Sequence, residues 1–121
     1  RIPQLHDTTL VGTVQTTNAT PTLIATYSTL ANSRIIGMRL TVLGLQPPAA
    51  NGAHFVIEVT ALRDGFASVS VIEDLFIKAF KSDITWDVTF VIAGTTIQVF
   101  VTGGVGQTVE WRLIGGVSEH G

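Results

Sequence analysis

The chain has 121 residues, with 7 Lys and Arg against 9 Asp and Glu, a net charge of −2 and a pI near 5.8. That length fits one domain, and the charge leaves no electrostatic footprint for nucleic acid or an acidic lipid surface. The absence of cysteine excludes disulfides and thiolate metal sites.

Charged residues make up only 13% of the chain, against roughly 25% in an ordinary soluble domain. Hydrophobic residues reach 45% and mean hydropathy is +0.43. A domain of this size buries only about two-thirds of the surface its unfolded chain exposes. The remainder must be coated by Thr, Ser, Gly, Ala and some aliphatics, or covered by other subunits. A threonine-coated monomer is one solution; a homo-oligomer or a place in a larger assembly is the other, and the scarcity of charge favours it. No run of 18 apolar residues exists and "RIPQLHDTTL" lacks a hydrophobic signal core, so no membrane insertion is expected. Arg1 rather than Met opens the chain, as in a processed product or a domain of something longer.

Along the chain, short alternating or β-branched runs recur between turn residues, and none has a sustained helical period. The runs Thr9 to Thr17 and Thr22 to Thr29 predict two strands separated by Asn18-Ala19-Thr20-Pro21. Arg34 to Leu45 is the longest and most apolar. "QPPAANG", Gln46 to Gly52, reads as a loop, because prolines and Asn-Gly interrupt a ladder. His54 to Arg63 predicts the next strand, and Asp64-Gly65 a hairpin turn. Ala67 to Phe80 is ambiguous: Val71, Leu75 and Ala79 stand at helical spacing, but its strand neighbours favour a strand kinked at Glu73-Asp74. Ile84 to Ile92 places Ile84, Trp86, Val88, Phe90 and Ile92 on one face. Thr95 to Thr102 points Ile97, Val99 and Val101 inward. After the glycine loop, Val109, Trp111 and Leu113 alternate with Glu110 and Arg112.

About eight antiparallel strands satisfy their edges and bury one face each as a β-sandwich or jelly roll. The expected organisation is one all-β domain over 1–121, with flexible ends at 1–8 and 118–121.

The loop "VTGGVGQTVEW" spells like the phosphate cradle of one group of P-loop ATPases, where GGVG is followed by Lys-Thr. Gln107 stands where that lysine should be, and the residues after it alternate as a strand rather than opening a helix. The glycines therefore serve a turn.

No other constellation carries chemistry. His6, His54 and His120 have no metal-ligand spacing, and no serine has a nucleophile-elbow context. Asp83 and Asp87 would stand about 13 Å apart on one strand face, too far for a glycosidase pair. Asp83 is expected to end a turn and Asp87 to face solvent. Asn18-Ala19-Thr20 is a glycosylation sequon followed by proline, and Arg63-Asp64-Gly65 is what any such hairpin after an arginine spells. No catalytic residue, cofactor or metal is expected. Trp86 and Trp111 fall on inward faces as core. Phe66, Phe100, Asn51 and His54 are the candidates for interface or ligand contact, Phe100 because it lies on the outer face of its strand.

Three phrases, "VGTVQTTNATPTLIATY", "ALRDG" and "ITWDVTFVIAGTTIQVFVTGGVGQTVEWRLIGGV", occur in that order and span about Val11 to Val117. Together they resemble a β-rich module recurring in tailed-bacteriophage virion proteins: tail fibres, tail spikes, head fibres and decoration proteins. The family phrase has two arginines before Asp-Gly; here "HFVIEVTALRDG" is more apolar and has one. The resemblance implies a non-enzymatic structural or display module on the virion surface. It also implies a homotrimer that contacts other virion proteins. The alternative is a lectin-like module binding host surface glycans through its loops and an exposed aromatic.

Overall fold

The computed structural model describes residues 5–29, 33–48, 51–63 and 69–120. All regular structure in them is β: β1 (Leu5–Thr16), β2 (Thr22–Ser28), β3 (Arg34–Gln46), β4 (Asn51–Arg63), β5 (Val69–Lys81), β6 (Asp87–Ala93), β7 (Thr96–Thr102) and β8 (Val109–His120). They form two antiparallel sheets, a five-stranded one ordered β1-β8-β3-β4-β5 and a three-stranded one ordered β2-β7-β6. The eight-strand sandwich expected from the sequence is the fold.

Period-two patterning decides the faces. In β3, inward Ile36, Met38, Leu40 and Val42 are buried while Ile35, Arg39 and Leu43 face out. β4 contributes Phe55, Ile57, Val59 and Ala61 beside them, and β8 adds Val109, Trp111, Leu113 and Val117. The small sheet closes the core with Val88, Ile97, Val99 and Val101. Burying each such aliphatic side chain is worth about 1.5–3 kcal/mol against leaving it in water.

Several boundaries differ from the sequence reading, each for a local reason. Asn51 and Gly52 belong to β4 rather than to the loop, because Gln46↔Asn51 and Leu45↔Gly52 continue the β3–β4 ladder. The Asn51 amide donates to Gln46 Oε1 at 3.0 Å, which fastens the last pair. The ambiguous fifth segment is a strand throughout. Its register with β4 slips at Ile72 and again at Ile77, so the kink expected at Glu73-Asp74 is a bulge one residue earlier. β4 and β5 pair up to Arg63↔Val69, so five residues join them rather than the two of an Asp-Gly hairpin; the turn expected at Asp64-Gly65 lies outside the described residues.

Ile84, expected inward, is 85% exposed. The strand begins only at Asp87, and residues 83–85 form a turn in which the Trp86 N–H donates to the Asp83 carbonyl at 3.2 Å. The flexible ends expected at 1–8 and 118–121 carry ladder pairing where they are described, from Leu5↔His120 to Thr8↔Val117. β8 also pairs with β3 up to Ile35↔His120.

Gly12 and Gly44 are among the glycines required by close approach. β2 slips register at Ile24, leaving both Ile24 and Ala25 buried. A Cβ at Gly12 in β1 would lie 2.1 Å from the Ile24 carbonyl oxygen, so only glycine lets β1 lie against β2 there. A Cβ at Gly44 would meet the Trp111 ring at 2.7 Å.

Candidate interaction face and its supports

The five-stranded sheet has one face in the core and one outside, and the outer face is the unusual feature of the molecule. Its cross-strand rows follow from the registers. One row runs Val11, Ile114, Thr41 and Val56; the next runs Thr13, Arg112, Leu43, His54 and Phe80. A third runs through Arg39, Glu58 and Leu75. Val11, Leu43, Leu45, Leu75, Phe80 and Ile114 are between 44% and 63% exposed. Charged side chains stand among them: Glu110 and Arg112 on β8, Arg39 on β3, Glu58 on β4, and Glu73 and Lys78 on β5. Arg39 and Glu58 pair at 3.7 Å in the open, a contact worth about 0–1 kcal/mol.

At the β3–β4 turn end the face dips into a shallow groove lined by Thr13, Leu43, Leu45, His54, Phe80 and Arg112. Gly44 and Gly52 also border it and have no side chains to fill it. His54 is half-buried there between Leu43 and Phe80.

The four candidate contact residues are not brought together. His54 is in the groove. Asn51 is at the neighbouring hairpin base and its amide is engaged on both sides, donating to Gln46 and accepting from Ser82 Oγ at 3.2 Å. Phe100 lies on the other sheet, half-buried between Leu23 and Thr89 on the outer face that its alternation predicted. Phe66 lies outside the described residues. Sequence reasoning missed Phe80. Its exposure follows from pairing with His54 on an edge strand, and neither the pairing nor the edge is written in a local pattern.

The glycine loop is a built turn. Gln107 N–H donates to the Gly104 carbonyl at 3.2 Å, and Gly106 takes a positive φ of 69°. The Gln107 side chain lies where a Cβ on Gly104 would stand. From there Gln107 Oε1 accepts from Trp86 Nε1 at 2.8 Å and Nε2 donates to Asp83 Oδ2 at 2.7 Å. Asp83 Oδ1 also accepts from the Thr85 N–H and hydroxyl, at 2.9 and 2.7 Å. These bonds, the Thr85 N–H foremost, hold the Asp83 carboxyl below its usual range. Gln107 thus replaces a phosphate-binding lysine in spelling and does a structural job: it ties the loop to the turn before β6.

A second polar group lies inside the sandwich. The Tyr27 hydroxyl donates to the Glu119 carboxylate, and Glu119 is 1% exposed. Arg34 is buried nearby, and its charge acts on Tyr27. Arg63 Nη1 donates to Thr29 Oγ1 at 2.7 Å and to the Thr29 carbonyl at 3.3 Å. Burial, then the bond to Glu119 and its charge, push the Tyr27 hydroxyl well above its ordinary value near 10. Both groups join the sheets. Among the described residues no group of three His, Asp or Glu could hold a metal ion.

No family model and no curated protein matches the chain. The solved structures include one that is similar to it in shape.

That structure is the Acinetobacter baumannii phage AM24 tailspike protein, with a TM-score of 0.49 and 8% identity over 94% of this chain. The chain spans 26% of the tailspike's length. The fold described above stands on its own strand pairing.

Proposed function

We propose that this chain is a non-enzymatic structural and display module of a bacteriophage particle, assembling with copies of itself. The observation that carries the self-assembly is the outer face of the five-stranded sheet. It presents Val11, Leu43, Leu45, Leu75, Phe80 and Ile114 to solvent in a chain with only 13% charged residues. Exposed apolar side chains gathered on one sheet face support an interaction site there. The phage assignment is supported by the three phrases of the sequence, which resemble virion modules. In this reading the sandwich is a rigid scaffold. Its outer face is covered by neighbouring subunits or other virion proteins on the particle surface, and its loops remain for specific contacts.

The test is solution mass by light scattering over a range of concentrations, in 0.1 and 1 M NaCl. Oligomers that persist in 1 M NaCl are expected, because apolar contacts do not weaken with screening and only the charged pairs at a contact do. A monomer under every condition would overturn the self-assembly. The resemblance implies a trimer, whereas β5 points to a twofold contact, as argued below, and the measured mass decides between them.

The alternative, a carbohydrate- or receptor-binding module for host attachment, has one observation in its favour. Phe80 is 55% exposed in the groove beside His54 and Arg112, an aromatic face next to polar donors. A monomer that binds glycans and loses them with Phe80→Ala would favour that reading.

A further inference from the structure

We propose that the free edge of β5 is where a second copy of this chain docks, antiparallel to the first, around a twofold axis at Leu75. This rests on the self-assembly reading above and names its partner and geometry.

The five-stranded sheet ends in β1 and β5, and neither has a strand paired on its outer side among the described residues. On β1, β2 of the other sheet packs over the inner face, closely enough to require Gly12. β5 is held at its ends, where the Val69 N–H donates to the Gly94 carbonyl at 2.9 Å and Lys81 Nζ to the Trp86 carbonyl at 2.9 Å. Between those ties, no strand among the described residues pairs with its outer side. Residues 73–80 are exposed apart from half-buried Phe76, which packs edge-on to Phe55 at 6.1 Å. Three of them, Leu75, Ile77 and Phe80, are large and apolar. Charge and bulges, both present on β5, normally guard an open edge, whereas large apolar residues between them make a stretch of it a template for another strand.

The charges name that strand. Glu73 and Asp74 precede Leu75, whereas Lys78 and Lys81 follow it. A second β5 laid parallel would set like charge against like. Laid antiparallel, it sets acid against base at both ends of the contact, and opposite-charge cross-strand pairs are the favourable ones. The bulge at Ile77 makes the match work on one face. Glu73 pairs with Thr60, Leu75 with Glu58, Lys78 with Val56 and Phe80 with His54, so all four project to the outer side of the sheet. A twofold axis at Leu75 therefore sets the two Leu75 side chains together. Glu73 of each copy then stands opposite Lys78 of the other. The bulges at Ile72 and Ile77 leave only Glu73 to Phe76 as regular ladder, which makes the contact short and its formation concentration-dependent.

The test compares light-scattering mass and dissociation constant for the 121-residue chain, Glu73→Lys, Lys78→Glu and the double exchange. Both sites are exposed, and the wild type is expected to form dimers. Each single reversal is expected to weaken association on the order of tenfold or more, by placing like charges across the axis. The double exchange restores it, which also shows that the fold is intact. Because the chain has no cysteine, a Leu75→Cys variant should form a disulfide-linked dimer on mild oxidation. Val11→Cys, exposed at the opposite edge, should not. Wild-type association that ignores the reversals, a double exchange that does not restore it, a trimeric mass, or no Leu75→Cys cross-link would each overturn the β5 contact and leave self-assembly standing. A monomeric wild type would overturn both.

Discussion

Replacing Trp86 by alanine is expected to cost about 3–5 kcal/mol in a urea unfolding experiment, as truncation of a buried tryptophan does. Trp86 is fully buried, and its ring meets Trp111 edge-to-face at 5.6 Å and 61°. The pair links the two sheets: Trp86 stands at the start of β6, while Trp111 is in β8 and donates from Nε1 to Thr16 Oγ1 at 3.0 Å. Truncation leaves a cavity and also strips Gln107 of the indole donor that fixes it. The glycine loop should therefore loosen together with the core. Against a typical total stability of about 5–15 kcal/mol, such a loss would unfold a large share of molecules at modest urea. Trp86→Phe, which keeps much of the volume, should lose clearly less. A loss below about 1 kcal/mol for Trp86→Ala would mean that the sheets are not joined there.

Glu119→Ala is expected to cost a similar amount, about 3–5 kcal/mol, for a different reason. Removing one member of a buried charged group leaves the others desolvated, and Arg34 stays buried beside Tyr27 when the carboxylate is gone. Tyr27→Phe removes only a hydrogen-bond donor and should cost less, about 1–3 kcal/mol. The same hydroxyl predicts a pH effect. Its pKa is raised on folding, so its contribution is full below about pH 10 and is lost as the pH rises beyond the unfolded value. Tyr27 is the chain's one tyrosine. Unfolding midpoints measured from pH 8 to 11 should therefore fall more steeply for wild type than for Tyr27→Phe. Parallel curves would contradict the burial of that proton.

Much of the sandwich is legible in the sequence because burial on one face enforces alternation. The runs ending at Val101 and Leu113 show it directly, and their inward residues are the buried ones. What the alternation hides is anything that depends on a partner strand. "QPPAANG" looks like loop throughout, yet Asn51 and Gly52 pair with β3, because a ladder is a property of two strands. β8 runs on to His120 through Gly115-Gly116, which break the visible pattern while the pairing to β1 and β3 continues. Ile84 looks inward by spacing and points out, because the turn held by Asp83 precedes the strand.

The proposed interaction face was legible only as a shortage of charge in the whole chain. Composition implies that something covers the surface; sheet order alone reveals that Leu43, Ile114 and Phe80 share one side and that β5 is an edge strand. Phe100, a better local candidate by alternation, turned out half-buried on the smaller sheet.

The most direct measurement is amide hydrogen exchange of the chain at low and high protein concentration. If a second copy covers this surface, amides on the free side of β5 between Glu73 and Phe80 gain protection as concentration rises, while the core strands stay unchanged. Exchange rates independent of concentration along the whole chain would contradict self-assembly, and concentration-dependent protection confined to the β2-β7-β6 sheet would move the contact to the other face.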